Sequence, residues 1–125
     1  MSKSILIVDD NMFVRQALRE LFDREAEFKV CGEAENGREA IEEAGKYRPD
    51  LIVLDLCMPV MNGLDAARVL KRILPAVPLI LYSAFEDKAS EQQARLMGIS
   101  EFVPKSEPVS VLIGKARGLL HLQAA

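Results

Sequence analysis

Five short apolar runs punctuate the chain: Ile5 to Val8, Phe28 to Cys31, Leu51 to Leu54, Leu79 to Tyr82 and Phe102 to Val103. Each is rich in β-branched, aliphatic or aromatic residues and too short for a stable helix, so each is expected to form a strand. Between them, apolar residues recur at helical spacing. Val14, Ala17, Leu18, Leu21 and Phe22 form one stripe, Ala40, Ile41 and Ala44 a second, and Ala66, Ala67, Leu70, Ile73 and Leu74 a third. A fourth segment, around Asp87 to Met97, has the poorest stripe and is expected to be the most loosely held. The last helix carries Val109, Leu112, Ile113, Ala116, Leu119 and Leu120, with Pro108 suited to its first turn and Ser106 or Glu107 near its cap. Strands without polar alternation, each followed by a helix, predict a parallel sheet covered on both faces, and right-handed crossovers restrict its topology. The expected fold class is α/β, doubly wound, with residues 1–125 forming one domain.

Composition narrows the function classes. A chain of 125 residues can bury a core without a disulfide or structural metal. The apolar fraction of 50% and charged fraction of 28% are those of an ordinary globular protein. A net charge of -3 and a pI near 5.2 argue against binding to a phosphate backbone, so no direct nucleic acid contact is expected. The apolar run at the start is too short for a signal peptide, and no stretch approaches the roughly 18 apolar residues of a membrane span. A cytoplasmic location without membrane attachment is therefore expected. Cys31 and Cys57 share no ligand spacing with His121, the single histidine, and read as free thiols.

In doubly wound sheets the working site lies beyond the carboxyl ends of the strands, where strand order reverses. Applied to this chain, that rule selects Asp9 and Asp10 after the first strand, Asp55 after the third, Ser83 after the fourth and Lys105 just beyond the fifth. Each has a plain alternative. Acids ahead of a helix suit its N-terminus, a serine suits a strand-end turn, and most lysines are solvated. Pro59 and Gly63 would shape a loop, one by fixing a dihedral and the other by permitting positive φ. Their company changes the picture. Three crowded carboxylates repel and are costly to desolvate unless a cation sits among them, and all-oxygen ligands point to Mg2+. With a metal and a lysine neutralising developing charge, Asp55 can act as a nucleophile toward phosphorus. A phosphatase using an aspartyl phosphate would want its nucleophile after the first strand with a second acid two residues on, and Asp9-Asp10-Asn11 does not fit.

Four segments, ILIVDDN at 5–11, RPDLIVLDLCMPVMNGL at 48–64, LILYSA at 79–84 and EFVPK at 101–105, together make the chain resemble the receiver domain of a two-component response regulator. The resemblance spans essentially the whole length and implies a flavodoxin-like strand order 2-1-3-4-5. It implies a phosphorylation-controlled switch that catalyses its own phosphorylation and dephosphorylation and turns over no external substrate. Asp55 would accept the phosphoryl group from a sensor histidine kinase or phosphotransfer protein. Asp10, Asp55 and the backbone carbonyl of Cys57 would hold Mg2+, with Asp9 helping through a water. Lys105 and Ser83 would bind phosphoryl oxygens, and Phe102 would move inward on activation. The surface of helix 4, strand 5 and helix 5 would then face a downstream protein or a second copy in a phosphorylation-dependent homodimer. Ser106 follows Lys105 where many receivers have proline, and Phe102 stands where tyrosine is common. KSEP is more similar to receivers that precede helix-turn-helix output domains, so the chain is expected either to act alone or to be an excised receiver. A pseudo-receiver, binding partners without phosphorylation, is the alternative that intact Asp10, Asp55, Ser83 and Lys105 argue against. Cys57 and Phe85, two residues beyond Asp55 and Ser83, are expected to slow hydrolysis because neither a thiol nor an apolar ring orients water well.

Overall fold

The computed structural model describes residues 2–84, 88–99 and 101–122. Five strands, β1 (Lys3–Val8), β2 (Phe28–Ala34), β3 (Leu51–Leu54), β4 (Leu79–Ser83) and β5 (Glu101–Pro104), alternate with five helices. These are α1 (Met12–Asp23), α2 (Gly37–Tyr47), α3 (Gly63–Ile73), α4 (Lys88–Leu96) and α5 (Val109–Leu119). The sheet is parallel throughout, in the order β2-β1-β3-β4-β5. Strand order therefore reverses between β1 and β3, and the ends of these two strands flank the switch point.

The unbroken apolar runs are explained by two cores. Successive strand residues point to opposite faces. Ile5, Ile7, Leu51, Val53, Ile80 and Tyr82 pack with Leu18 and Phe22 of α1 and with Leu112, Ile113 and Ala116 of α5. Leu6, Val8, Ile52, Leu54, Leu79 and Leu81 pack with Ala40 and Ala44 of α2, Ala66, Ala67 and Leu70 of α3, and Ala94 of α4. One bulge interrupts the register between β1 and β2, where Ile5 pairs with Val30 but Leu6 with Gly32, leaving Cys31 as the extra residue. The poor stripe expected for the fourth helix is matched: among its described residues only Ala94 is buried.

The helix stripes are less uniformly buried than the periodicity predicts. Ile73 and Val109 are exposed, as is Ala17. A stripe records which residues share a face, and the rim of that face can remain uncovered. The cap expected at Ser106 or Glu107 is also corrected. Pro108 itself occupies the N-cap of α5, and no side chain caps that helix. Asparagines start three other helices instead: Asn11 accepts from the N–H groups of Phe13 and Val14, Asn36 from Glu39 and Asn62 from Asp65.

The loop from β3 to α3 contains a residue under strain. Val60 has φ of 68° and is 78% exposed, so its β-branched side chain occupies the left-handed region with no packing to offset the cost. Asparagine tolerates that region. Val60→Asn is expected to raise stability by about 1 kcal/mol. Urea unfolding of the two proteins measures it, and an unchanged midpoint would contradict the strain.

Candidate functional site

Two asparagine-capped helices open directly onto the switch point. α1 starts at Met12, immediately after Asp9, Asp10 and Asn11, and α3 starts at Gly63, eight residues past Asp55. The N–H of Asp55 donates to the carbonyl of Val8 at 2.9 Å, which ties the two acid-bearing strand ends together. One oxygen from each of Asp9, Asp10 and Asp55 lies within 4.8 Å of the others. Asp9 and Asp55 are buried, whereas Asp10 is exposed. The Lys105 ammonium reaches in from the end of β5, 2.7 Å from Asp9 Oδ2 and 3.6 Å from Asp55 Oδ1. The backbone N–H of Lys105 donates to the Ser83 carbonyl at 2.6 Å, so β4 and β5 deliver the serine and lysine side by side. Asp9, Asp10, Asn11, Val14, Asp55, Cys57, Ser83, Ala84 and Lys105 line one cleft of about 350 Å3. The sequence-selected residues Asp9, Asp10, Asp55, Ser83 and Lys105 are thus brought together.

Electrostatics single out Asp55. Burial, followed by the charge of Asp9, pushes its carboxyl up to about 6; the Lys105 charge and a backbone hydrogen bond from Cys57 act in the opposite direction. Lys105 is held above its usual range. Burial alone would lower it, but the hydrogen bond to Asp9 and the charges of Asp55 and Asp9 more than offset that effect. Three carboxylates thus face one ammonium.

Two further residues support the site: Arg15, which carried no sequence signal of its own, and Gly63. Arg15 donates to the Asp9 carbonyl at 2.7 Å and pairs with Glu33 at 3.2 Å, which fixes the turn bearing the acids. Gly63 is needed for close approach rather than for a left-handed backbone, which corrects the expectation of positive φ. A Cβ there would lie 2.2 Å from the Asp55 carbonyl oxygen and 2.8 Å from Leu56 Cα. The Gly63 N–H also donates to the Leu56 carbonyl at 2.8 Å, so the first turn of α3 braces the Asp55 backbone. Cys57 is exposed and lines the cleft. Phe102 is half-buried and packs on the core shared by α2, α3 and α4. Phe85 lies outside the described residues.

The family model for the response regulator receiver domain matches residues 5–117. The chain belongs to this family. It is a receiver domain of two-component signalling. It is 39% identical over 105 residues to the chemotaxis protein CheY of Thermotoga maritima, covering 84% of this chain and 87% of that protein. It is 43% identical over 110 residues to a protein-glutamate methylesterase/protein-glutamine glutaminase of Pyrococcus abyssi, covering 86% of this chain but 30% of that protein. The chain spans between 26% and 35% of the length of such methylesterases. The solved response regulator domain of Thermotoga maritima CheB superposes with a TM-score of 0.90 at 28% identity, covering 99% of this chain and 100% of that one. A LuxR-family two-component response regulator from Aurantimonas gives 0.91 at 27% identity, covering 97% and 86%. Among the described residues, no helix of the receiver is long and apolar enough to cross a membrane.

The raised Asp55 pKa has a consequence for the metal-free protein. An acid whose folded pKa lies near 6 rather than 3.8 binds its proton more tightly when folded. Stability contributed by the protonated form is complete below pH 3.8 and is lost as pH rises through 6. Asp55→Asn removes the charge that must otherwise be accommodated, so at pH 7.5 it is expected to stabilise the metal-free fold by about 2 kcal/mol, with little gain near pH 4. Denaturant unfolding at both pH values checks this.

Proposed function

We propose that this receiver is phosphorylated on Asp55 in a reaction that requires Mg2+, and that the modification changes the surface formed by α4, β5 and α5. The observation carrying the proposal is the convergence of Asp9, Asp10 and Asp55 within 4.8 Å around a single lysine. That donor set suits a hard divalent cation: it is all oxygen, and its charge exceeds what Lys105 can balance. Asp10, Asp55 and the Cys57 backbone carbonyl would hold the ion, with Asp9 assisting through a water. When bound, Mg2+ supplies positive charge against the phosphoryl oxygens and the neighbouring carboxylates.

The chain's own groups account for the rest. A carboxylate oxygen of Asp55 attacks the phosphorus of a phosphohistidine on a sensor kinase or phosphotransfer protein. The new O–P bond forms as the N–P bond breaks, and the imidazole nitrogen leaves with the bonding pair. Lys105 moves from carboxylate oxygens to a phosphoryl oxygen, and the Ser83 hydroxyl donates to another. Asp9 and Arg15 keep the acidic turn in place. Hydrolysis regenerates Asp55, and the exposed Cys57 thiol is a weak group for orienting the attacking water. Phe85, two residues past Ser83, would flank the same route. The chain therefore acts on its own aspartate and not on an external substrate. Whether this receiver signals alone or controls an attached output domain, its output would pass through protein contacts rather than nucleic acid binding, including a phosphorylation-dependent pairing of two copies. A cytoplasmic setting suits such an exchange.

The test is incubation with a small-molecule phosphodonor, with intact mass followed over time. Wild type should gain one phosphoryl group only when Mg2+ is present, Asp55→Asn should gain none, and Cys57→Asn should lose the group faster than wild type. Labelling of Asp55→Asn at the wild-type level would remove the site assignment. Signal output has a separate readout. Phe102, half-buried beside Lys88, Glu91 and Pro104, should fill space opened as Ser83 moves toward the phosphoryl group. Hydrogen exchange across residues 88–110 should change on phosphorylation, and unchanged protection would argue against this switch.

A further inference from the structure

Lys105 borders two spaces at once. One is the acidic cleft. The other is a groove of about 370 Å3 between α1 and the start of α5, lined by Phe13, Val14, Ala17, Leu21 and Val109. Tyr82 also lines this groove, because the alternation along β4 turns Ile80 and Tyr82 toward the α1 and α5 face. Tyr82 is only 7% exposed and belongs to the core beneath α1 and α5. Its ring is therefore held by packing. The centroid of that ring lies 5.6 Å from Lys105 Nζ, within cation–π range. The same ammonium is 2.7 Å from Asp9, so it is bounded by carboxylate on one side and by an aromatic face on another.

We propose that Tyr82 is a positioning residue, whose ring face confines the Lys105 ammonium to the cleft side of this boundary, where a phosphoryl group on Asp55 would meet it. A lysine has a long flexible stem, and the groove offers its ammonium a competing, solvated position. The ring narrows that choice and attracts the cation through its electron-rich face, which an aliphatic side chain lacks. The ring face, rather than the hydroxyl, carries the effect. The inference rests on phosphorylation at Asp55 for its kinetic consequence but not for its structural one.

The experiment compares Tyr82→Phe, Tyr82→Leu and Tyr82→Met in the full chain. The proton resonances beside the Lys105 ammonium should show an upfield ring-current shift in wild type and Tyr82→Phe and lose it in the other two. With a small-molecule phosphodonor at saturating Mg2+, Tyr82→Phe should react at close to the wild-type rate. Tyr82→Leu and Tyr82→Met should be about two- to fivefold slower. Methionine fills the core flexibly, so that variant keeps the comparison decisive if leucine unfolds the domain. Aliphatic variants that react at the wild-type rate would overturn the proposal, as would Tyr82→Phe being as slow as they are. If wild type takes up no phosphoryl group, phosphorylation at Asp55 fails instead, and the ring-current comparison still decides whether Tyr82 holds Lys105.

Discussion

Two buried carboxylates, Asp9 and Asp55, share one ammonium at the point where the sheet reverses its strand order. Left alone, that arrangement resists full ionisation, and the burial and charge that push Asp55 up to about 6 measure the resistance. The surrounding structure keeps the groups together against it. The Asp55 N–H is bonded to β1, Arg15 grips the Asp9 carbonyl, and Lys105 is tethered to the Ser83 carbonyl on β4. Each restraint uses backbone geometry of the sheet or, for Arg15, a charged side chain carried by α1. Repulsion therefore cannot relax by moving one carboxylate away, and the cluster is left short of positive charge. Under the proposed function, a fold built this way would respond when positive or phosphoryl groups arrive.

The same rigidity depends on the loop that follows Asp55. Gly63 lets the first turn of α3 touch the Asp55 carbonyl, and Gly37 at the start of α2 donates to the Met61 carbonyl at 3.0 Å. A side chain at either position would collide with loop backbone. Pinned at both contacts, the intervening chain must turn sharply, and Val60 occupies its left-handed conformation there. Local strain at Val60 is thus the counterpart of close packing at Gly37 and Gly63, and both serve to hold the strand end bearing Asp55.

Much of this was legible from residue order because two periodicities do not interfere. Unbroken runs such as Leu51 to Leu54 mark strands buried on both faces, and the polar residues that terminate them fall at the carboxyl edge, where parallel sheets place their sites. That is why the sequence alone points to Asp9, Asp10, Asp55, Ser83 and Lys105. What escaped depends on approach between segments distant in sequence. Gly63 looks like any loop glycine until α3 is seen against Asp55. Arg15 is one of several charged residues on α1, and only the turn of that helix brings it to Asp9. Tyr82 read as a core residue, and its nearness to Lys105 required the pairing of β4 with β5. The exposed stripe members Ala17 and Val109 were indistinguishable from buried ones because periodicity reports a face and not how far its neighbour covers it.

Neighbouring residues on β4 connect the site to different halves of the molecule. Tyr82 belongs to the core beneath α1 and α5. Ser83 follows it at the strand end, bonded through its carbonyl to Lys105, while Phe102 on the adjoining strand packs into the core beneath α2, α3 and α4. A group bound to Asp55 and contacting both Lys105 and Ser83 would therefore act on two layers at once. Toward α1 and α5 it would meet a lysine braced by an aromatic ring in a closely packed core. Toward α4 it would meet a helix whose described residues bury only Ala94. Equal forces on a well-packed and a sparsely packed element produce unequal displacements, since an element with few buried contacts opens at lower free energy. The asymmetry of the two cores would thus direct a change at Asp55 toward the α4 side, while the α1 side would keep the proposed reacting groups in register.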